Sequence, residues 1–130
     1  MTMDIKKIND EFSVSAQITI EDVASLADLG IKSLICNRPD GEANDQPTEK
    51  EVEAAATAAG LEMVYLPVTS GKFSSQDVDD FLAAVERLPR PVHAYCRTGT
   101  RSMTLWSLYQ QRLGVPAATI LETASSAGYD

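Results

Sequence analysis

The chain has one histidine, His93, and only two cysteines, Cys36 and Cys96, among its 130 residues. Zinc sites draw on clustered Cys and His, so a zinc site is excluded, and heme ligation falls with it. No metal and no cofactor is expected, and any chemistry must rest on thiol, hydroxyl, carboxylate or guanidinium groups. Basic residues are few as well: 11 Lys plus Arg stand against 19 Asp plus Glu, a net charge of −8. Nucleic acids and anionic membranes are held by neutralising phosphates with basic side chains, which argues against both as partners. No apolar run approaches the ~20 residues of a membrane span. The opening MTMDIKKINDEF carries two lysines with no apolar stretch behind them, so it does not read as a secretory signal. A cytoplasmic setting is expected, where two cysteines are more often free thiols than a bridge.

What is there has the balance of a soluble domain, 44% apolar and 23% charged. At ~150 residues per domain, residues 1–130 make one. Strand-sized apolar runs alternate with capped helices. Phe12, Val14, Ala16 and Ile18 alternate, predicting a half-buried strand over 12–18. Thr19 with Asp22 starts a helix that Gly30 stops, and Thr48 with Glu51 starts another that Gly60 stops. Strands are expected over 31–36, 61–68 and 92–95. Ser74 or Ser75 caps a helix whose apolar face is Val78, Phe81, Leu82, Val85 and Leu88. A further helix spans 102–113, and a short one closes the chain. This pattern predicts a single-domain α/β fold, a parallel sheet of about four strands with helices on both faces. Ligands in such folds bind at the carboxyl ends of the strands, and Cys96 stands at one.

The segment from Val92 reads VHAYCRTGTRS and leads into a helix. A strand-loop-helix turn curls the backbone N–H groups of residues 97–101 toward one centre, an anion-binding nest. The positive end of the next helix points to the same centre. Arg97 and Arg101 add cationic forks suited to oxyanions, and Gly99 permits backbone angles that a branched residue resists. In such surroundings Cys96 is expected to ionise readily and act as a nucleophile. Arg97, Thr98, Gly99, Thr100 and Ser102 are the expected substrate-binding positions beside catalytic Cys96 and Arg101. Ser102 is placed to hydrogen-bond the thiolate or a loop carbonyl. Asn37 and Arg38 follow the second strand and are candidates for the same crevice, with Gln17 at its rim. His93 should point away from Cys96 and is read as structural. Trp106 is read as core, and Tyr95 as packed beside the loop.

These residues resemble the loops of cysteine-dependent phosphatases and of rhodaneses. The phosphatase loop is Cys-x5-Arg, with His before the cysteine and Ser or Thr after the arginine. Here Cys96 to Arg101 is Cys-x4-Arg, and Tyr95 stands where the histidine would. The shorter ring looks like the rhodanese type, which holds a cysteine persulfide. VSAQIT, LICNRPDGE, LPVTSGK and AYCRTGTRSMTLWSL together resemble the phosphatase-like domain of beta-lactamase hydrolase-like proteins (domain of unknown function 442). The likeness covers about residues 8–130. It implies a fold of the dual-specificity-phosphatase type with strand order 1-2-4-3, and both sulfurtransferase and phosphatase activity. It also implies a persulfide dioxygenase-like partner. That strand order would set Cys36 beside Cys96, close enough for a disulfide if the α-carbons lie within roughly 4.4–6.8 Å.

Two arguments favour sulfur over phosphorus as the transferred group. Phosphate esters usually need a general acid for the leaving group, and the stretch Pro67–Lys72 has no carboxylate. Asp77, Asp79 and Asp80 look like helix-start residues, and Asp40, Glu42 and Asp45 lie in a turn-rich loop. A tightened nest also suits one terminal sulfur better than a tetrahedral phosphoryl group. The expected reaction is therefore sulfane-sulfur transfer from thiosulfate or a small persulfide, through a Cys96 persulfide, to a thiol or cyanide. A phosphatase working through phosphocysteine is the alternative, and a non-catalytic sulfur carrier a second. In each case the ligand is a small anion, since an acidic surface repels a polyanion.

Overall fold

The computed structural model describes residues 4–129. Five strands form one sheet: β1 (Lys6–Asn9), β2 (Phe12–Ser15), β3 (Ser33–Cys36), β4 (Glu62–Tyr65) and β5 (Val92–Tyr95), in the order β1-β2-β5-β3-β4. Neighbours run parallel except in the β1–β2 hairpin. The helices are α1 (Ile20–Asp28), α2 (Glu49–Ala58), α3 (Ser75–Arg87), α4 (Thr100–Arg112) and α5 (Ala117–Ser126). Thr19 with Asp22, Thr48 with Glu51 and Ser74 with Asp77 each form a reciprocal capping box. Each box satisfies two amide donors that the first helical turn leaves unpaired.

The sheet separates two cores. On one face Phe12, Val14, Ile35 and Ala94 pack against Phe81 of α3 and Leu105 and Trp106 of α4. Phe12 meets Phe81 edge-on and stacks on Trp106, with ring centroids 5.9 Å and 6.3 Å away. On the other face Leu34, Cys36 and Tyr95 pack against Val23 and Leu26 of α1 and Val52 of α2. Strand β5 is buried along its whole length and lies between two parallel partners, so its carboxyl end opens at the middle of the sheet edge.

The structure departs from the sequence-based expectations at several points of the sheet. A fifth strand, β1, hairpins onto β2; its four residues, KKIN, alternate only between partly buried and exposed, too weak a pattern to read as a strand. The run 12–18 is a strand only to Ser15, and it is buried on both faces. The reason is His93, which is fully buried between Ser13 Oγ at 2.7 Å and Ser15 Oγ at 2.8 Å, one on each ring nitrogen. Burial pushes this imidazole down to about 4. Counting the four expected strands in chain order, the arrangement is 1-4-2-3 rather than 1-2-4-3. Finally, Cys36 pairs in register with Tyr95, so the strand pleat turns Cys96 to the opposite face. Both cysteines are free and buried, and the Cys36 thiol is pushed up by burial in the α1–α2 core.

Candidate active site

From the end of β5 the chain runs through Cys96–Gly99 directly into α4, which starts at Thr100, two residues before the expected position. Gly99 makes the turn at φ +91, a left-handed conformation that a β-carbon opposes. The reversal aims the Gly99 N–H back at the Cys96 sulfur, 3.1 Å away. Cys96 is fully buried, and its N–H donates to Ser15 O on β2. Among the described residues, the N–H groups of Arg97, Thr98, Arg101 and Ser102 have no acceptor within the chain. Two of these belong to the first turn of α4, where the helix supplies no partner and its positive dipole end lies. One donor of the loop thus faces the sulfur, and four more N–H groups lie unpaired beside it in the chain.

The first turn of α4 also sends Arg101 inward, leaving it only 6% exposed. One Nη donates to Glu42 Oε2 at 2.7 Å and to Val68 O at 2.9 Å, and the other to Glu42 Oε1 at 2.8 Å. This is the bidentate fork that fixes a guanidinium in one plane. The Arg101 hydrogen bonds hold the Glu42 carboxyl down at about 2. Glu42 in turn raises Arg101, with the nearby Cys96 sulfur adding to the effect. Glu42 is therefore a permanent anion behind the loop and not a proton donor.

Asn37 and Arg38 lie behind the loop as well, both buried. Asn37 Nδ2 donates to Leu66 O at 2.9 Å, and its Oδ1 accepts from Ser102 Oγ at 2.9 Å. Ser102 thus bonds Asn37 instead of the thiolate or a loop carbonyl, because the α4 turn points its hydroxyl at the end of β3. Arg38 donates from Nε to Glu42 and from Nη1 to Gln17 Oε1, each at 3.0 Å. The two arginines share one carboxylate. Tyr95 is buried on the opposite face beside Cys36, and burial pushes its phenol up.

The side chains of Arg97, Thr98 and Thr100 are exposed. With Arg101, Phe73 and Thr104 they line a cleft of about 390 Å³ that no carboxylate enters. Four of the aspartates noted in the sequence are tied elsewhere. Asp77 closes the α3 cap, Asp79 pairs with Arg112, Asp80 accepts from Gln76, and Asp40 accepts from the Glu49 N–H. Among the described residues no group of three His, Cys, Asp or Glu could hold a metal ion, and no helix is long and apolar enough to cross a membrane.

Two residues at the site carry roles that the sequence did not assign. For Glu42 the signal is the need of two buried arginines, Arg38 and Arg101, for an anion. Tyr129, whose hydroxyl reaches the Thr98 carbonyl, left no sequence signal.

Comparison with known proteins gives a consistent picture. Residues 4–113 match the family model described as "Beta-lactamase hydrolase-like protein, phosphatase-like domain". A beta-lactamase hydrolase-like protein of Agrobacterium fabrum is 33% identical over 95% of this chain, which spans 29% of that relative's length. A candidate phosphatase of Neisseria meningitidis, solved as a crystal structure, superposes with a TM-score of 0.90 at 36% identity, covering 99% of this chain and 92% of that one. The core catalytic domain of the PP-IP phosphatase of S. cerevisiae, solved with citrate, shares the fold at a TM-score of 0.74 and 17% identity, over 96% of this chain and 76% of its own. The fold is that of the cysteine phosphatases, and the sulfur-transfer expectation finds no support among these relatives.

Proposed function

The chain belongs to the phosphatase-like domain family of beta-lactamase hydrolase-like proteins, and from that premise we propose that it is a cysteine-dependent phosphatase. The Cys96 sulfur attacks phosphorus, the S–P bond forms as the P–O bond to the leaving group breaks, and the leaving oxygen departs with the electron pair. Water then attacks phosphorus, the P–S pair returns to sulfur, and inorganic phosphate leaves. The ring of free N–H groups and Arg101 hold the equatorial oxygens of the phosphoryl group. Arg97 serves as the substrate-side cation, with the hydroxyls of Thr98 and Thr100 beside it. Asn37, Arg38 and Ser102 brace the loop from behind.

The observation that carries this reading is the Gly99 N–H donating to the Cys96 sulfur at the N-terminus of a helix whose first turn holds Arg101. With no carboxylate in the cleft, the substrates are small phosphate compounds whose leaving group needs no proton, such as aryl phosphates. The same absence, with the Cys-x4-Arg ring, favours sulfur transfer through a Cys96 persulfide as the second reading. A persulfide dioxygenase-like partner belongs to that reading alone. Paired assays on wild type and Cys96→Ser separate the two. p-Nitrophenyl phosphate hydrolysis lost in Cys96→Ser, with negligible thiosulfate-to-cyanide transfer, is the expected outcome. Transfer without hydrolysis would reverse the assignment.

A further inference from the structure

A trans peptide unit points its C=O and its N–H in opposite directions, and the Thr98–Gly99 unit of the loop is engaged at both ends. Its N–H donates to the Cys96 sulfur at 3.1 Å, and its C=O accepts from the Tyr129 hydroxyl at 3.3 Å. The same hydroxyl occupies the space beside Gly99 that a side chain there would need. A β-carbon at Gly99 would stand 2.1 Å from it and 3.3 Å from the Ser15 carbonyl carbon. Tyr129 is itself fixed, since its N–H donates to Ala124 O at 2.8 Å beyond the end of α5 and its side chain packs on the core beneath α3 and α4. Burial, followed by the neighbouring Cys96 sulfur, raises its phenol above the ordinary value, so the hydroxyl keeps its donor proton.

We propose that Tyr129 is a positioning residue that locks the Thr98–Gly99 peptide with its N–H facing Cys96 and the bound oxyanion. Glycine gives this unit little steric resistance to rotation. If the peptide turned over, a carbonyl oxygen would face the sulfur and repel both it and an incoming anion. The lock rests on reading the loop as the anion-binding catalytic site.

Tyr129→Phe keeps the ring and removes only the hydroxyl. Three quantities are measured on the full chain: the dissociation constant of inorganic phosphate by calorimetry, kcat and KM for p-nitrophenyl phosphate, and the melting temperature. Loss of the hydrogen bond that orients one donor is expected to weaken phosphate binding about five- to tenfold. A similar fall in kcat is expected, with a melting temperature within about 3 °C of wild type. Unaltered phosphate affinity and kcat overturn the lock, as does intact affinity with a larger fall in melting temperature, which marks a packing role. Should wild type bind phosphate without hydrolysing any ester, weaker binding in Tyr129→Phe still supports the lock while the phosphatase reading fails. A wild type that binds no phosphate overturns both.

Discussion

Both Nη atoms of Arg101 are committed to Glu42 and one also to Val68 O, so Glu42 determines where the guanidinium plane lies. Neutralising that carboxylate without changing its shape leaves Arg101 and Arg38 buried with one anion fewer, and the fork loses its charge-assisted strength. Glu42→Gln is therefore expected to lower kcat/KM for p-nitrophenyl phosphate about tenfold. Glu42→Asp should recover part of the loss, because it restores the charge. Equal activity in Glu42→Gln and wild type would contradict this positioning role. The residue scale also explains what was readable beforehand. Cys96, Gly99 and Arg101 fall within six consecutive positions, so their chemistry survives in one line of text. Glu42 reaches Arg101 across 59 positions, and Tyr129 reaches Thr98 across 31. Such pairs exist only once the sheet has brought the strand ends together.

Elements were legible in proportion to how local their causes are. The pairs Thr19 with Asp22 and Thr48 with Glu51, each three residues apart, formed capping boxes as the spacing implied, and Ser74, one of two caps open in the sequence, closes a third with Asp77. Strand β1 was not legible, because its edge position asks only for backbone pairing with β2 and not for apolar side chains. The alternation in 12–18 misled for a different reason. Ser13 and Ser15 look like a solvent face, yet they are buried as the two hydrogen-bond partners of His93. Helix α3 carries a clearer signal through Phe81, which is fully buried and edge-on to Phe12. Phe81→Ala should cost about 3–5 kcal/mol of unfolding free energy, read from urea titration at neutral pH. A loss below ~1 kcal/mol would show that α3 does not depend on this contact.

At the scale of the whole molecule, the chain carries a net charge of −8 while its Cys96 loop holds two arginines, a balance that repels polyanions more than small anions. Acid should weaken the fold through two groups. His93 is held at about 4 against an ordinary 6.5, so below pH 6.5 the unfolded chain takes up a proton that the folded one refuses. Stability is full above that value and falls as pH drops toward 4, by on the order of 3 kcal/mol. Glu42, held at about 2 against an ordinary 4.5, adds a second loss between those values. Urea titrations at pH 7 and pH 4.5 should show the first loss, and His93→Gln should flatten it. A flat wild-type profile over that range would contradict the buried neutral imidazole. The overall α/β architecture was legible because alternating strands and helices admit few arrangements. The order of the central strands was not, since β2, β3 and β5 are all buried throughout and burial does not rank them.

A phosphatase of this kind must bond Cys96 covalently to phosphorus during turnover. Acid-quenching the enzyme during p-nitrophenyl phosphate hydrolysis and mapping the Cys96 peptide by mass spectrometry tests it directly. A phosphoryl adduct on Cys96 that is absent from Cys96→Ser is the expected result. An unmodified Cys96 during active hydrolysis, or an adduct on another residue, would contradict it.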